Sequence, residues 1–311
     1  MKLLACLLLL IAGDAWSQAQ TALNSFAYVL QADSLAKTKS QAIQILTDSG
    51  RDWFVLDANY SGDEPWTAAD LAAIRAGKPG RKIIAYLSIG EAEDYRAYWH
   101  PEWDPGHSGK KPAPGAPPFL LGQNPEWKGN YRVKYWQPEW QRLILPQVDK
   151  IMTNGFDGVY LDIVDGFETF EHDGDDFIDD RLNPETKQSY RRDMVDWVKT
   201  IAARARKANP AALIIPQNGS QLLAQSDFLI AIDAVGVEDL FSNGGKLQRS
   251  ADTKFVLECL APLIAAHKPV LDIEYATRPE HRIKVQALAR EHGFVWILTD
   301  RELKTLGESG N

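Results

Sequence analysis

Two carboxylates, Asp162 and Asp165, lie where a short apolar segment gives way to a loop, within residues 155–165. Aliphatic side chains alternate there with small or polar ones, which predicts a buried strand with Tyr160 and Asp162 on its second face. Carboxylates at the carboxyl ends of parallel strands occupy the place where (β/α)8 barrels and doubly wound sheets hold their catalytic loops. A single Asp in this position also commonly caps the following turn, so the functional interpretation depends on the other strand ends.

Further carboxylates recur at or just beyond the ends of other predicted strands: Asp57, Glu91, Glu238, Asp272 and Glu274. Asp272 and Glu274 share one face of their strand, because side chains alternate along a strand with a period of two. Few lysines or arginines accompany these ends, and a cluster of unpaired carboxylates is costly unless it serves chemistry or binds a charged ligand. The residues that we predict to line a single cleft are Asp57, Glu91, Asp162, Asp165, Glu238 and Asp272.

The pattern argues against several chemistries that use carboxylates or nucleophiles. The 6 His residues are scattered, and none stands at a predicted strand end, so no metal site is predicted. The loops after the last two strands lack the glycines of phosphate-binding or flavin-binding barrels, and the chain has no GxSxG nucleophile elbow, so no cofactor is predicted. Glycoside hydrolysis fits, since it needs a carboxylic acid and a carboxylate across the sugar ring, with aromatic platforms for the sugar faces.

Apolar segments with the length and composition of strands recur along the chain, and helix-length segments separate most of them. The predicted strands cover residues 26–30, 53–57, 81–87, 155–165, 213–217, 234–237, 270–274 and 295–298. Helices are predicted to begin near Asp33 and at Asn183, where Pro184 follows an Asn cap. A chain of 311 residues with 45% hydrophobic content can bury one large core, so this alternation predicts a single-domain (β/α)8 TIM barrel.

Two long loops interrupt the alternation, after strands 3 and 4. The first, residues 95–136, is rich in aromatic side chains, and we predict that it covers the cleft and supplies a sugar platform from among Trp99, Trp103, Trp127 and Trp136. The next candidates for stacking are Tyr28, Tyr60 and Tyr86. The second loop, residues 168–180, is acidic and is interpreted as a solvated loop, a subsite for cations or a Ca²⁺ site.

The amino terminus combines Lys2, an apolar run and small residues up to Ala19, which predicts a signal peptide over residues 1–19 and a domain over residues 20–311. The protein is therefore expected to be secreted or periplasmic. No later segment reaches the roughly 20 apolar residues of a membrane span. The net charge of -8 and the pI near 5.3 argue against nucleic acid or anionic lipid as a partner and are compatible with a cationic substrate.

Several segments, taken together and in order, resemble one family. IIAYLSIGEAEDYR, GVYLDIVD, PQNGS, VGVEDLF and LTDRELKTL are similar to segments of the glycoside hydrolases of the endo-α-1,4-polygalactosaminidase type and of the related exported barrel domains that act on galactosamine-containing exopolysaccharides. The resemblance covers residues 24–306, nearly the whole mature chain. It implies a (β/α)8 barrel whose catalytic pair is an Asp of strand 4 and a Glu of strand 6, which are Asp162 and Glu238 at the matching positions.

The resemblance implies a secreted glycoside hydrolase that degrades α-1,4-linked galactosamine or N-acetylgalactosamine polysaccharide, by a retaining two-carboxylate mechanism. Asp162 is expected to act as the nucleophile and Glu238, the longer side chain after an apolar segment, as the general acid. Predicted substrate-binding residues are Asp57, Tyr86, Glu91, Tyr160, Asp165, Asn218, Asp272 and Glu274. Two alternatives stay open, a carbohydrate-binding barrel without turnover and a glycosidase that acts on a different polysaccharide. The sequence does not indicate an oligomeric state.

Overall fold

The computed structural model describes residues 23–109, 111–174 and 176–311, so the predicted signal peptide lies outside the described residues. The parallel strands are β1 (Phe26–Val29), β2 (Trp53–Asp57), β3 (Lys82–Ser88), β4 (Gly158–Asp162), β5 (Leu213–Pro216), β6 (Val235–Glu238), β7 (Val270–Glu274) and β8 (Val295–Leu298). β1 to β5 form a five-stranded sheet in chain order, and β6, β7 and β8 are neighbours in a second sheet. The predicted parallel α/β architecture is confirmed.

Two sets of contacts connect the edges of these sheets. Gln217, directly after β5, forms a parallel bridge with Gly236 of β6. At the other edge, Glu308–Gly310 forms an antiparallel strand on β8, and the Phe26 amide of β1 donates to Ser309 Oγ at 3.0 Å. The strands therefore follow one another as in a barrel, while full closure of the barrel stays a prediction.

Helices alternate with the parallel strands, as the sequence predicts. They are α1 (Lys39–Asp48), α2 (Ala68–Ala76), α3 (Pro138–Thr153), α4 (Tyr190–Ala208), α5 (Ser226–Ala231), α6 (Ser250–Ala265) and α7 (Pro279–Glu291). Short 3₁₀ helices span Ala32–Ser34, Pro101–Trp103, Val164–Phe170 and Ser220–Ala224. Antiparallel pairs are Asn59–Ser61 with Glu64–Pro65, His172–Asp173 with Asp176–Phe177, and Ser242–Asn243 with Lys246–Leu247. After β3, Asn130–Val133 pairs with both Glu91–Glu93 and Leu120–Gln123.

Arg81 shows how α1 and α2 are fastened to the start of β3. This residue is 1% exposed, and its guanidinium donates to carbonyls at the carboxyl ends of both helices, including Leu46 at 3.2 Å and Ile74 at 2.6 Å. The last carbonyls of a helix have no partner within the helix. Arg81 supplies those partners and thereby fixes both helices against the sheet.

The predicted helix start at Asn183 is wrong, for a local reason. Asn183 does accept a hydrogen bond from the Glu185 amide at 2.9 Å, which is the kind of contact a cap makes. Its own side-chain amide, however, donates to Asp193 Oδ2 at 2.7 Å. This bond folds the segment back onto α4, which begins only at Tyr190.

The helix predicted near Asp33 also begins later in the chain. Backbone amides just after β1 donate to the Leu303 carbonyl at 3.0 and 3.2 Å, which holds this segment against the loop after β8. A single 3₁₀ turn follows over Ala32–Ser34. α1 begins after Thr38, whose hydroxyl accepts a hydrogen bond from the first turn of the helix at 3.3 Å.

Gly236 on β6 is a position where a side chain cannot be added without moving the core. A Cβ built there would lie 1.8 Å from the hydroxyl oxygen of Tyr160, which is 0% exposed. Replacing Gly236 by Ala is expected to lower the free energy of unfolding by about 2 kcal/mol or more, because overpacking displaces a buried ring. Thermal and urea unfolding measure this loss.

Gly245→Ala is the matched control, since the nearest atom to a Cβ added there is the Thr277 hydroxyl oxygen at 3.7 Å. The stability of the wild type is expected for this variant. Equal unfolding midpoints for Gly236→Ala and Gly245→Ala would mean that Tyr160 moves aside without cost.

Candidate active site

The carboxyl ends of the parallel strands open into one cavity with a volume of about 710 Å³. The predicted site residues that line it are Tyr86, Glu91, Asp162, Asp165, Asn218 and Glu238. Asp162 and Glu238 are the last residues of β4 and β6, so the two predicted catalytic carboxylates reach the same space from different strands. The predicted residues that do not line this cavity are Asp57, Tyr160, Asp272 and Glu274.

Asp162 accepts two hydrogen bonds, one on each carboxylate oxygen. The Tyr86 hydroxyl donates to Oδ2 at 2.7 Å, and the Ile163 backbone N–H donates to Oδ1 at 2.8 Å. Burial raises the pKa of Asp162 to about 6, because the carboxylate loses hydration, while these hydrogen bonds oppose the rise and the charge of Glu93 adds to it. Asp162 is therefore largely ionised at neutral pH, which is the state that a nucleophile requires.

Arg96, which is held by two ion pairs, lies over the ring of Tyr86. The Arg96 guanidinium lies 5.9 Å from the centre of the Tyr86 ring. It pairs with Asp57 at 2.7 Å and with Glu93 at 2.7 Å. The Asp57 carboxylate turns toward Arg96, which explains why the prediction that Asp57 lines the cleft was wrong. Arg96 lies in the loop after β3, so the alternation of side chains along a strand could not predict its position.

Glu238 also accepts a hydrogen bond on each oxygen. Gln217 Nε2 donates to Oε2 at 2.7 Å, and the Tyr275 hydroxyl donates to Oε1. Burial, and then the negative charge of Asp162, raise the pKa of Glu238 to about 7, while the bond from Tyr275 opposes the rise. At any given pH Glu238 is therefore protonated to a greater extent than Asp162, which suits a general acid.

An arginine lies over the tyrosine on this side of the cavity as well. The Arg301 guanidinium is 4.2 Å from the centre of the Tyr275 ring. It donates to both carboxylate oxygens of Asp239, at 2.9 and 2.6 Å. Each of the two candidate catalytic carboxylates thus receives a tyrosine hydroxyl, and each tyrosine is covered by an arginine that an Asp neutralises.

Backbone strain marks the strand ends that carry the site. Ile163, Asn218 and Asp239 have φ angles of 58°, 57° and 53°, and they lie just after β4, β5 and β6. Such conformations cost on the order of 1–3 kcal/mol each, and for a β-branched residue they are clear outliers. The prediction that Ile163 continues β4 was wrong, because its left-handed turn directs its N–H to Asp162. Strain held at neighbouring strand ends is typical of a functional site.

Asp165 and Glu91 form further parts of the acidic wall. Burial, together with the charges of Asp162 and Glu168, raises the pKa of Asp165 to about 8, so this carboxyl is mostly neutral at pH 7. Glu91 is 3% exposed, and its Oε1 accepts a hydrogen bond from Asn124 at 2.9 Å. Burial is also the main cause of the raised pKa of Glu91. Asp165 therefore contributes a neutral polar group beside Asp162 and not a second ionised nucleophile.

Asp272 and Glu274 do not face the cavity but form a pair, each 0% exposed, beneath the loop after β6. Glu274 accepts hydrogen bonds from the amides of Phe241 and Ser242 at 2.6 and 3.0 Å. Burial, and then the charge of Glu274, raise the pKa of Asp272 well above its usual range. The prediction that both point into the mouth was wrong, because they alternate with Ile273, the register partner of Glu238, and so lie on the opposite face of β7.

Comparison with known proteins identifies the family. The model of glycoside-hydrolase family GH114 matches residues 11–311. The chain belongs to this family. It is 36% identical over 253 residues to an uncharacterized protein of Deinococcus radiodurans, covering 81% of this chain and 74% of that protein. It is 35% identical over 237 residues to an uncharacterized protein of Methanocaldococcus jannaschii, covering 75% of this chain and 63% of that protein. The predicted resemblance to a glycoside-hydrolase family is confirmed.

Solved structures share the fold of this GH114 glycoside hydrolase. The glycoside hydrolase domain of PelA from Pseudomonas aeruginosa superposes with a TM-score of 0.62 at 21% identity, covering 92% of this chain and 97% of that one. Aspergillus fumigatus Ega3, in complex with galactosamine, superposes with a TM-score of 0.65 at 17% identity, covering 94% and 97% of the two chains. At these identities the similarity establishes a common fold.

The long loop after β3 brings aromatic rings to the cavity of the GH114 protein. Trp127 lines the cavity and is 49% exposed, and Tyr95 lines it and is 60% exposed. The other tryptophans predicted as platforms pack against aromatic neighbours in the loop or on α4: Trp99, Trp103 and Trp136. The loop therefore presents Trp127 and Tyr95 to a ligand and uses its remaining tryptophans to pack.

The predicted tyrosines divide between the cavity and the core. Tyr28 and Tyr86 line the cavity. Tyr60 packs edge-on against Trp66, with ring centres 5.3 Å apart. Tyr160 is 0% exposed, and its ring centre lies 5.1 Å from that of Tyr28. Tyr160 therefore supports the wall of the site from inside the core and does not itself line the cavity.

Other features of the GH114 protein bear on the remaining sequence interpretations. Among the residues that the structure describes, no three His, Cys, Asp or Glu side chains are grouped to hold a metal ion. No helix within the described ranges is long and apolar enough to cross a membrane. In the acidic loop, Arg191 pairs with Glu171 at 2.8 Å and also with Asp179. Part of the negative charge of that loop is thus neutralised by α4.

Gln217, Tyr275 and Arg301 line the cavity although the sequence did not single them out. Gln217 and Arg301 lie in segments that carried the family resemblance, and Tyr275 directly follows β7. Gln217 and Tyr275 are uncharged and leave no charge pattern, so their place just beyond a strand end was the available signal. Asn218, which was predicted, accepts a hydrogen bond from the Glu238 backbone N–H at 3.1 Å and so holds that strand end in place.

Proposed function

We propose that the protein is a secreted, retaining glycoside hydrolase that cleaves α-1,4-linked galactosamine or N-acetylgalactosamine polysaccharide. The observation that carries this proposal is the pair Asp162 and Glu238, which line one cavity with pKa values of about 6 and about 7. A retaining mechanism needs one ionised and one protonated carboxyl at the same sugar, and this difference supplies both near neutral pH. The galactosamine bound to the structurally similar Ega3 supports an amino sugar as the substrate unit.

In the first step of the proposed reaction, an Asp162 oxygen attacks the anomeric carbon while Glu238 transfers its proton to the departing glycosidic oxygen. The bond between that carbon and that oxygen breaks, and an ester joins the sugar to Asp162. In the second step Glu238, now ionised, takes a proton from a water molecule, and the water oxygen displaces Asp162. Two displacements restore the original anomeric configuration, and both carboxyls return to their starting states.

The remaining wall of the cavity suits a cationic amino sugar in this proposal. Glu91, Asp165 and Glu168 all line it, and the first two have raised pKa values for which burial is the main cause. A bound ammonium group stabilises the ionised form of a neighbouring carboxyl and so offsets that burial. Trp127 supplies an exposed ring against which the apolar face of a sugar can stack.

We also infer that β1 to β8 close into a (β/α)8 barrel. The bridge between Gln217 and Gly236 supports closure between β5 and β6. Between β8 and β1, the strand Glu308–Gly310 pairs with the first and touches the second through Ser309. Secretion or export to the periplasm is proposed on the predicted signal peptide at residues 1–19.

The proposed function is tested by mass spectrometry of products after incubation with galactosaminogalactan in native, fully acetylated and fully deacetylated forms. We expect shortened oligosaccharides from at least one form, and the new reducing ends are expected to be α by early ¹H NMR. The double variant Asp162→Asn, Glu238→Gln is the control for contaminating activity. Binding without products would indicate a carbohydrate-binding barrel, and cleavage of another polysaccharide alone would indicate a different glycosidase.

A further inference from the structure

A chain of side-chain hydrogen bonds crosses Glu238, from β1 to the residue after β7. The Tyr28 hydroxyl donates to Gln217 Oε1 at 3.0 Å. Gln217 Nε2 then donates to Glu238 Oε2 at 2.7 Å, and the Tyr275 hydroxyl donates to Glu238 Oε1 from the other side. Tyr28, Gln217 and Tyr275 are only 1%, 4% and 5% exposed, so solvent has little access to these partners.

The directions of these hydrogen bonds fix the orientation of the Gln217 side-chain amide. Its oxygen accepts from Tyr28, so its NH₂ group faces Glu238, and an NH₂ group can only donate. Oε2 of Glu238 therefore always meets a donor and has no acceptor toward which to place a proton. The Tyr275 hydroxyl differs, because a hydroxyl both donates and accepts. A change of protonation at Glu238 is thus accommodated at Oε1.

We infer that Tyr275 is a positioning residue for the catalytic proton, which resides on Oε1 of Glu238. When Glu238 is ionised, Tyr275 donates to Oε1, and when Oε1 carries the proton, the tyrosine hydroxyl turns so that the proton is free to reach the glycosidic oxygen. Gln217, held by Tyr28, keeps the proton off Oε2. The inference rests on the proposed function, in which Glu238 is the general acid.

Arg301 fixes the Tyr275 ring while leaving its hydroxyl free to rotate. The guanidinium lies 4.2 Å from the ring centre, where the negative face of the ring attracts a cation. Asp239 accepts two hydrogen bonds from the same guanidinium and so holds it over the ring. The part of Tyr275 that remains adjustable is the O–H bond that faces Glu238.

Titratable groups face Glu238 from several elements of the structure: Tyr28 of β1, Tyr160 and Asp162 of β4, Asp165, Asp239, Tyr275 and Arg301. The charges of Asp162 and Asp239 raise the pKa of Glu238, whereas the bond from Tyr275 and the charge of Arg301 lower it. Removal of the Tyr275 hydroxyl alone is therefore expected to raise the pKa of Glu238, a shift that a residue serving only to pack the wall is not expected to produce.

Tyr275→Phe tests the inference because it removes the donor and keeps the ring beneath Arg301. A ¹³C NMR titration of protein labelled at its Glu carboxyl carbons, with Glu238→Gln used to assign the resonance, is expected to show the pKa of Glu238 raised by about one unit. On the polymer, kcat is expected to fall on the order of tenfold, and the alkaline limb of its pH profile is expected to move to higher pH.

Tyr131→Phe is the matched control, since it removes a hydroxyl that donates to the buried Asp104 at 2.8 Å, and Tyr131 does not line the cavity. The Glu238 titration is expected to be unchanged in this variant. Tyr28→Phe is the second test, and it also applies if Tyr275→Phe does not fold. Without the Tyr28 hydroxyl the Gln217 amide can turn its oxygen toward a protonated Oε2, so the pKa of Glu238 is again expected to rise.

An unchanged Glu238 titration in either folded variant, Tyr275→Phe or Tyr28→Phe, overturns the inference. The titration is read without turnover, which separates this result from the proposed function. If both variants show the shift but the wild-type protein cleaves no polymer, the glycosidase proposal is contradicted and the inferred hydrogen-bond network around Glu238 is retained.

Discussion

Asp162→Asn is expected to lower kcat on the polymer by about a thousandfold or more, because a neutral amide cannot form the glycosyl ester. The variant is expected to fold, since Asn keeps the volume of Asp and its oxygen can still accept the Ile163 N–H. Reducing-end assays measure the loss of turnover, and circular dichroism checks the fold.

The same substitution is expected to maintain or raise the thermal midpoint at pH 8. The pKa of Asp162 rises on folding from 3.8 to about 6, so the folded protein binds this proton more tightly than the unfolded chain. Stability therefore falls as the pH rises through that interval, and the penalty is complete above it. Asn carries no charge and removes the penalty, so the difference between variant and wild type is expected to shrink at low pH.

Asp165→Asn is the control for Asp162→Asn, because Asp165, with a pKa of about 8, is already mostly neutral at pH 7. A far smaller fall in kcat is expected for Asp165→Asn.

Azide gives a second check on the nucleophile. When azide is added to the Asp162→Ala variant, it is expected to restore turnover and to give a product of inverted configuration by a single displacement. An azide product of retained configuration, or near-native activity of Asp162→Asn, would assign the nucleophile to another residue.

The parallel strands could be predicted because each is a short apolar run with a defined end. β7 and β8 occupy the predicted residues 270–274 and 295–298. The start of α4 could not be predicted in the same way, because Asn183 carries the signal of a helix cap and the structure uses it in a turn. The deciding partner, Asp193, lies 10 residues further along the chain, beyond the reach of a local cap pattern.

The candidate catalytic pair could be placed because the carboxyl ends of parallel strands converge, so Asp162 and Glu238 meet at one cavity. Whether the carboxylates of β7 face the cavity or are buried elsewhere could not be predicted. A period of two assigns Asp272 and Glu274 to one face of β7 but does not tell whether that face points to the cavity. The register of β7 against β6 places both on the face away from Glu238, beneath the loop after β6. That loop reaches Glu274 through Ser242, which is 32 residues away in the sequence, so only the folded chain shows that this carboxylate is structural.

The supports of the two carboxylates were the least predictable part of the site. Tyr86 was named as a binding residue, but its contact with Asp162 depends on the register of β3 against β4. Tyr275 and Arg301 come from separate loops and meet only in three dimensions. Left-handed Ile163 is predicted by no local rule, because a β-branched residue disfavours that conformation.

Glu238→Gln is expected to lower kcat on the polymer by about 10²–10⁴-fold, and to do so unequally across substrates. The glycosidic oxygen of a polymer is a poor leaving group and needs the proton of Glu238. An aryl oxygen of low pKa leaves without that proton, so an activated aryl galactosaminide is expected to react at nearly the normal rate in the first step. The second step then lacks its base, and the ester on Asp162 is expected to accumulate, which intact-protein mass spectrometry detects.

The pH dependence of kcat/KM on the polymer is measured with the same variant. In the wild type, activity is expected to rise as Asp162 ionises near pH 6 and to fall as Glu238 loses its proton near pH 7. The charge of Asp162 raises the pKa of Glu238, so the two limbs report the coupled pair and not two independent groups. Glu238→Gln is expected to keep the acidic limb and to lose the alkaline one. An alkaline limb that survives in this variant, or near-native activity on the polymer, means that another group donates the proton.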